Sequence, residues 1–165
     1  MSEREEKTIP APKPVSASRT EQVQILIADT MNGAGRLFGG RLMEWIDVVA
    51  AVAARRHSCR NVTTAAVDSL QFAAPAFVND TIILSGCVTS TGRTSMEVCV
   101  RTYVENLDGT RREINRAYLV MVAIDENGNP VPVPPVIPET DEEKREYAEA
   151  QKRREYRDLR RREHF

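Results

Sequence analysis

The chain has 165 residues, of which 41% are hydrophobic and 28% are charged, and its formal net charge is -1. This length suits one domain with a core of its own, and the charge lacks the strong basic excess of a nucleic-acid-binding protein. No apolar run approaches the roughly 20 residues of a transmembrane helix, and no apolar stretch follows the charged start, Met1 to Lys7, as it would in a signal peptide. We therefore expect a cytoplasmic protein that binds neither nucleic acid nor membrane.

The three cysteines, Cys59, Cys87 and Cys99, are widely spaced and form no CxxC pair. Such spacing indicates neither a zinc site nor a disulfide framework. Free thiols in a reducing cytoplasm are therefore expected, and no metal is indicated.

The first predicted elements are irregular. Residues 1–20 hold Pro10, Pro12 and Pro14 among Ser, Lys and Glu, which predicts a disordered or extended arm. A short strand is predicted at Gln22–Ile27, and the glycine-rich segment from Asn32 to Gly40 predicts a loop.

A helix is predicted from about Gly39, because apolar residues then recur at intervals of three and four. They are Leu42, Met43, Ile46, Val49, Ala50, Ala53 and Ala54. Arg55, Arg56 and His57 close the segment and suit the negative end of a helix dipole. The helix is apolar on most of its surface, which predicts that other elements surround it.

Four long strands are predicted after the helix, in segments rich in Val, Thr, Ile and Tyr. The segments are Val62–Ala74, Thr81–Ser90, Ser95–Glu105 and Arg111–Ile124. Asp108-Gly109 is a strong hairpin signal, and the proline-rich run from Pro130 to Pro138 cannot continue the sheet. We predict an α+β fold in which one long central helix is wrapped by a curved antiparallel sheet of about five strands.

The C-terminal segment, residues 139–163, predicts a second, charged helix. Thr140 and Glu143 form a capping box, and the arginines from Arg160 to Arg162 match the dipole at its end. Because its apolar content is low, we expect this helix to contribute little to the core. Truncation after Pro138 should then leave a folded, active protein.

Asp47 is the polar residue that most needs an explanation, because it lies within the apolar helix between Met43 and Ala50. Burying an unpaired carboxylate is costly. The position predicts either a general base or nucleophile whose pKa is tuned by partial burial, or an Asp that accepts hydrogen bonds at a subunit interface. Glu44 falls on a different face, which is expected to be exposed to solvent.

Gly39 and Gly40 stand where the chain enters the helix. Backbone N–H groups at such a position can approach a ligand closely and can form an oxyanion hole for a carbonyl under attack. The alternative is that the glycines only permit tight packing of the loop on the sheet. Asn32, at the start of the loop, can orient a water or donate to a carbonyl oxygen, although Asn in such a loop is by default a turn former.

The segment from Thr91 to Val98 carries an arginine and hydroxyl groups at a hairpin turn, and it can hold ligand phosphates or form an ordinary surface hairpin. His57 follows the helix without a paired Ser or Cys nucleophile, so we predict a structural role. His164, in the tail, is given no role.

Several ordered segments match one known family. They are Asn32, Gly35, Phe38-Gly39-Gly40, Leu42-Met43, Trp45-Ile46-Asp47, Ala50-Ala51, Arg56-His57, Val62-Thr63-Thr64-Ala65, Val67-Asp68, Phe72, Pro75, Asp80, Gly92 to Val98 and Asp125 to Pro132. Together they resemble the cytosolic acyl-CoA thioester hydrolases of the hotdog superfamily, which places a hotdog domain at residues 21–135. Asn79 and Gly33 depart from the family pattern, which often has Gly and Pro there.

The resemblance implies hydrolysis of acyl-CoA to a carboxylic acid and free coenzyme A, with no cofactor beyond the coenzyme A of the substrate. It implies that Asn32 of one subunit faces Asp47 of the partner subunit across a dimer interface, with coenzyme A along that interface. The substrate-binding residues that it implies are Thr64, Arg93, Thr94 and Ser95. The family often groups three dimers into a hexamer, and we favour a hexamer over an isolated dimer.

Two other functions compete with this prediction. A non-catalytic acyl-CoA-binding hotdog module, such as a ligand sensor, needs an output domain, and residues 1–20 are too short and irregular for a DNA-binding helix pair. A hotdog hydratase or dehydratase typically uses an Asp or Glu with a His, and His57 is misplaced for that role. The presence of both Asn32 and Asp47 favours the thioesterase.

Overall fold

The computed structural model describes residues 8–164. Its elements in chain order are β1 (Lys13–Pro14), β2 (Thr20–Ile25), α1 (Gly39–Ser58), β3 (Asn61–Phe72), β4 (Thr81–Thr91), β5 (Ser95–Glu105), β6 (Arg111–Ile124), β7 (Val136–Ile137) and α2 (Asp141–Glu163). Two short 3-10 turns lie at Val15–Ser18 and Ala28–Thr30. Neither α-helix in the described range is long and apolar enough to span a membrane.

The main sheet has five strands in the order β2-β4-β5-β6-β3, and all neighbours are antiparallel. The buried face of α1 packs on one side of this sheet. The packing is close at Gly86 of β4, where an added Cβ would lie 2.7 Å from Cγ1 of Val49. A long helix against a five-stranded antiparallel sheet is the hotdog fold, so the predicted fold is confirmed.

The predicted bounds are confirmed for β5 and β6 at both ends, and β4 extends one residue further, to Thr91. The first strand begins two residues earlier than predicted, at Thr20, and β3 ends at Phe72 rather than at residue 74. Asn79 has a φ of +71°. Asn tolerates this left-handed conformation better than most residues, which explains how it replaces the glycine common in the family.

The prediction that α1 is surrounded is wrong for the single chain. One side of the helix remains open, with Met43 at 43% and Val48 at 51% exposure. Asp47 lies on the same open side.

The arm at residues 1–20 was predicted to be disordered or extended, and from Lys13 onward it forms β1, a 3-10 turn and the start of β2. β1 pairs in parallel with β7, so the two proline-containing segments satisfy each other's backbone groups. Val15 is buried in the core, and Oγ of Ser18 accepts a 2.9 Å hydrogen bond from the backbone of Val88. Residues 1–7 of the predicted arm lie outside the described range.

The capping box at the start of α2 is confirmed. Oγ1 of Thr140 accepts a hydrogen bond from the backbone N–H of Glu143, and the Glu143 carboxylate accepts one from the N–H of Thr140, both at 3.1 Å. The helix packs on the outer face of the sheet, opposite α1. Successive side chains of a strand point to opposite faces, and in β5 Met96 joins the core around α1 while Glu97 contacts α2.

Ion pairs hold α2 on the sheet. The Glu97 side chain is only 1% exposed and lies 2.8 Å from Arg153 and 2.9 Å from Arg157. Arg157 and Arg160 also bind Asp68 on β3. Only Ala150 of α2 is fully buried, as its low apolar content predicted. The expectation that the helix contributes little to the core is confirmed, because Tyr147 is the one α2 residue that packs against the apolar cluster. The helix does, however, cover the buried carboxylate of Glu97.

Candidate active site

The central contact of the site joins α1 to the edge strand β3. The hydroxyl of Thr64 donates a 2.6 Å hydrogen bond to Oδ1 of Asp47, and the same hydroxyl lies 3.5 Å from the sulfur of Met121. The β3–β6 register shifts between Thr64 and Ala66. A bulge of this kind re-aims side chains and is common next to active sites.

The expected partial burial of Asp47 is wrong for the single chain. Asp47 and Thr64 are both exposed, because Asp47 faces the open side of α1 and not the sheet. Oδ2 of Asp47 has no hydrogen-bond partner within residues 8–164. Glu44 is exposed as predicted and forms an ion pair of 3.0 Å with Arg41.

Asn32 shapes the glycine-rich loop with its side-chain oxygen. Oδ1 accepts hydrogen bonds from the backbone N–H groups of Ala34 at 2.9 Å and Arg36 at 3.2 Å. Gly35, inside this turn, has a φ of +69°, a conformation that glycine adopts without steric cost. The amide nitrogen of Asn32 has no partner in the described part of the chain. The residue is therefore a turn former that still offers an exposed donor.

The start of α1 presents two free backbone donors. The N–H groups of Arg41 and Leu42 both donate to the carbonyl of Phe38. Among residues 8–164, nothing accepts a hydrogen bond from the N–H groups of Gly39 and Gly40. Unpaired donors at a helix start favour negative charge, so both groups suit an oxyanion.

Aromatic rings flank these donors. A Cβ on Gly40 would lie 2.7 Å from the Phe38 ring, and one on Gly39 would lie 3.5 Å from the Phe72 ring. Both rings are 54% exposed. A cavity of about 300 Å³ lies beside them, lined by Asn32, Arg36, Leu37, Leu42, Phe72, Ala73, Ala74, Pro75, Ala76 and Ile114. The site thus combines a recess lined mostly by apolar residues with an amide and the two backbone donors.

One chain does not bring Asn32 and Asp47 together. Asp47 lies eight residues beyond Gly39, which is about 12 Å along the helix at 1.5 Å per residue. Asn32 lies in the loop before the helix, and no hydrogen bond joins the two side chains. Each of them is exposed.

The turn predicted to bind phosphates, between β4 and β5, lies away from Asp47. Its Gly92 faces α2, where an added Cβ would lie 2.7 Å from Oγ of Ser95 and 3.2 Å from both terminal nitrogens of Arg154. Arg93 and Arg154 have no acidic partner in the described part of the chain. The sequence analysis missed Arg154, because α2 lies outside the family match and its many arginines look alike. Ser95 faces α2 and Thr64 faces α1, so the turn and Asp47 lie on different faces of one sheet.

His57 is fully buried, and Nε2 donates a 2.7 Å hydrogen bond to the carbonyl of Pro134. Burial lowers the pKa of this imidazole; the Pro134 carbonyl raises it, and the nearby charge of Lys13 lowers it further. These contacts match the structural role predicted for His57. His164 is exposed at the end of α2.

A family model described as Thioesterase superfamily matches residues 34–109. A solved structure, an apo-hexameric acyl-CoA thioesterase, is 45% identical with a TM-score of 0.89, covering 92% of this chain and 97% of that one. The chain belongs to the thioesterase superfamily. Within this superfamily, it is similar to an uncharacterized acyl-CoA thioester hydrolase of Bacillus subtilis, 45% identical over 113 residues, which are 68% of this chain and 66% of that protein.

A second solved member of the superfamily is the acyl-CoA hydrolase of Staphylococcus aureus, in complex with butyryl coenzyme A, coenzyme A and coenzyme A disulfide. It is 35% identical with a TM-score of 0.88, covering 92% of this chain and 93% of that one. Three variants of that enzyme, in which an Asp, a Thr or an Asn is replaced by Ala, have TM-scores of 0.90, 0.88 and 0.90.

The curated relatives are longer than the matched region. The chain spans 66% of the Bacillus protein. It spans 39% of a rat protein named cytosolic acyl coenzyme A thioester hydrolase, at 31% identity over 147 residues, which are 87% of this chain.

Proposed function

We propose that the protein hydrolyses acyl-CoA thioesters to a carboxylic acid and free coenzyme A, with Asp47 as the central chemical residue. The observation that carries the proposal is the Thr64–Asp47 hydrogen bond on the open side of α1. It fixes the orientation of an exposed carboxylate and leaves its second oxygen free for a water or a substrate carbonyl.

The spacing of the polar residues supports the assignment. The Asn, Asp and Thr replaced in the Staphylococcus aureus variants are 15 and 17 positions apart along that chain. The same intervals separate Asn32 from Asp47 and Asp47 from Thr64. The three residues chosen for substitution in that enzyme therefore have counterparts of the same type here.

In the proposed reaction, water attacks the thioester carbonyl carbon while Asp47 takes a proton from that water. The N–H groups of Gly39 and Gly40 stabilise the oxyanion of the tetrahedral intermediate. The carbon–sulfur bond then breaks, and the proton passes from Asp47 to the coenzyme A thiolate. Asn32 positions the water or polarises the carbonyl. The reaction uses no cofactor.

A second route uses the same residues. Asp47 attacks the carbonyl directly and forms a mixed anhydride as the carbon–sulfur bond breaks and the coenzyme A thiolate leaves. Water then hydrolyses the anhydride, which releases the carboxylic acid, restores the Asp47 carboxylate and supplies the proton that the thiolate takes up. A single turnover in ¹⁸O-labelled water detects the anhydride route when water attacks the Asp47 carbonyl carbon of the anhydride. Direct attack by water places the label only in the product acid, whereas hydrolysis of the anhydride at Asp47 places it in the protein.

The active site is proposed to form between two chains, Asn32 of one chain facing Asp47 of the partner subunit. Separation of the two side chains within one chain supports this. So does the exposed apolar surface beside Asp47, formed by Met43, Val48 and Val67 at 43%, 51% and 47% exposure. β3 is an edge of the sheet, and an uncovered edge favours pairing with another chain. We further propose three such dimers in a hexamer, as in the hexameric thioesterase that this chain resembles.

Coenzyme A is proposed to place its phosphates at the basic turn of Arg93, Thr94 and Ser95, where guanidinium and hydroxyl groups favour anions. Arg154 adds a second unpaired guanidinium beside that turn. A cytoplasmic location is also proposed, supported by the composition of the chain and by the cytosolic name of the rat relative.

The activity is tested by incubating the pure protein with acetyl-, medium-chain and long-chain acyl-CoA and a thiol reagent. Steady release of free thiol is expected for at least one chain length. A non-catalytic binding module or a hydratase would release none, and that result would overturn the proposal.

A further inference from the structure

The sheet has a second exposed edge, at β2, whose surface is apolar. Val23, Ile25 and Ile27 alternate along the chain and are 56%, 63% and 56% exposed. Because alternate residues of a strand share a face, Val23 and Ile25 form one stripe. Leu26, next to Ile25, is buried in the core, so the stripe faces away from α1.

The loop before β4 extends this surface. The backbone N–H of Leu26 donates to the carbonyl of Asp80, and the N–H of Asn79 donates to the carbonyl of Leu26, at 2.9 and 2.8 Å. These bonds place Phe77 and Val78, which are 48% and 51% exposed, beside the end of β2. We call the surface formed by Val23, Ile25, Ile27, Phe77 and Val78 the β2 patch.

The β2 patch lacks the usual protection of a sheet edge. Edge strands of soluble proteins commonly carry lysine, proline or several charges that prevent pairing, whereas Glu21 is the only charged residue in β2. α2 covers another part of the outer face, around Glu97 and Tyr118, and leaves Val23 and Ile25 open. Such a cluster of exposed large apolar side chains marks an interaction site.

The proposed active-site dimer cannot cover this patch. That dimer uses the β3 edge, and β2 and β3 are opposite edges of the sheet, separated by four inter-strand spacings of about 4.8 Å. A closed assembly of six chains built from two-fold dimers needs a second, different interface on every chain. The β3 side supplies the first, and the β2 side supplies an apolar surface for the second.

We infer that the β2 patch is the surface through which one dimer contacts another copy of this chain in a neighbouring dimer. The inference rests on the proposed assembly and names the residues that join its dimers. The occupant of the patch is thus a second copy of the chain, and burial of five exposed apolar side chains supplies the driving force.

The test measures mass in solution by sedimentation and light scattering. Val23→Lys with Ile25→Lys places charges on the patch, and Val23→Thr with Ile25→Thr removes apolar surface while keeping β-branched side chains. Leu107→Lys is the matched control, because Leu107 is fully exposed at the β5–β6 turn, outside the patch. Circular dichroism checks that each variant is folded.

The wild type and Leu107→Lys are expected to have the mass of six chains, and the Lys variant the mass of two. The Thr variant should show at least a tenfold higher dissociation constant from six chains to two. A wild type of two chains, or a folded Lys variant that remains six, overturns the inference.

Thiol release by the wild type is measured separately. If the mass depends on the β2 patch but the wild type releases no thiol, only the proposed activity is refuted. Thiol release with an unchanged mass in both patch variants would refute only the proposed surface.

Discussion

The 2.6 Å hydrogen bond from Thr64 to Asp47 joins the middle of α1 to the edge strand β3 at the open side of the helix. An exposed carboxylate on a helix ordinarily samples several rotamers, and this bond restricts Asp47 to one. A fixed carboxylate oxygen is what a general base or a nucleophile requires, because productive geometry must exist before the substrate reacts.

The first prediction concerns Asp47. Asp47→Asn keeps the shape of the side chain and removes the basic carboxylate, so kcat should fall by about 10²–10⁴-fold with little change in Tm. Glu44→Gln is the matched control, because it alters an exposed carboxylate one turn away, and its kcat should stay near wild type. A kcat for Asp47→Asn within a factor of about three of wild type would contradict the role.

The helix and the long strands could be predicted from the sequence because their signals are local. The three- and four-residue apolar spacing from Leu42 to Ala54 reports one helix face, and Asp108-Gly109 reports one hairpin. The β1–β7 pairing joins Lys13 to Val136 across most of the chain. No local pattern encodes such a contact, so the arm was assigned as disordered or extended.

The candidate site was predictable only in part. Asp47 stands out because it is a carboxylate within an apolar helix. Its exposure depends on which side of α1 the sheet covers, and the amino-acid sequence of the helix does not predict that side. Thr64 came from the family resemblance alone. Arg154 carries no distinguishing signal among the arginines of α2, and only its position over Gly92 separates it from them.

The second prediction tests the packing of α1 on the sheet. Gly86→Ala places a methyl group 2.7 Å from Cγ1 of Val49, and overpacking of this kind lowers the free energy of unfolding by about 1–3 kcal/mol. Gly33→Ala is the control, because nothing lies within 4 Å of its added Cβ. Urea unfolding checks both variants. Adding Val49→Ala to Gly86→Ala removes the clash. If this double variant recovers none of the lost free energy of unfolding, the clash with Val49 is not the cause of the loss.

The third prediction concerns the docking of α2. Glu97→Gln leaves Arg153 and Arg157 facing a buried site without its carboxylate, and the free energy of unfolding should fall by about 3 kcal/mol. Glu142→Gln removes an ion pair whose carboxylate is 65% exposed and should cost less than about 1 kcal/mol. Truncation after Pro138 was expected to leave a folded, active protein. Because it removes the ion pairs of Glu97 with α2, we expect it to lower Tm. An unchanged Tm for both Glu97→Gln and the truncation would show that α2 docking adds no stability.

The fourth prediction is a pH dependence set by His57. Its pKa in the folded protein is lowered by burial from 6.5, so as the pH falls through 6.5 the unfolded chain binds a proton that the folded chain does not. The free energy of unfolding should therefore decrease with acidification below pH 6.5. Thermal melts from neutral pH downward should show a smaller slope for His57→Gln, whereas His164→Gln, at an exposed histidine, should retain the wild-type slope. Equal slopes in all three proteins would refute the assignment.

The last prediction tests whether each active site is shared between two chains. Asn32→Ala and Asp47→Asn should each be nearly inactive. When the two variants exchange subunits, a mixed dimer collects both lesions in one site and none in the other. Activity should then recover to about one quarter of wild type, because random exchange makes half of the dimers mixed and each regains one of its two sites.

Exchange itself must be measured independently, with two distinguishable tags and a pull-down of mixed dimers. A mixture of Asp47→Asn with itself under the same conditions is the control and should stay inactive. If mixed dimers form and no activity returns, Asn32 of one chain and Asp47 of the partner subunit do not act in the same site. A wild type that light scattering shows to be a stable monomer would refute the shared site directly, because such a site needs two chains.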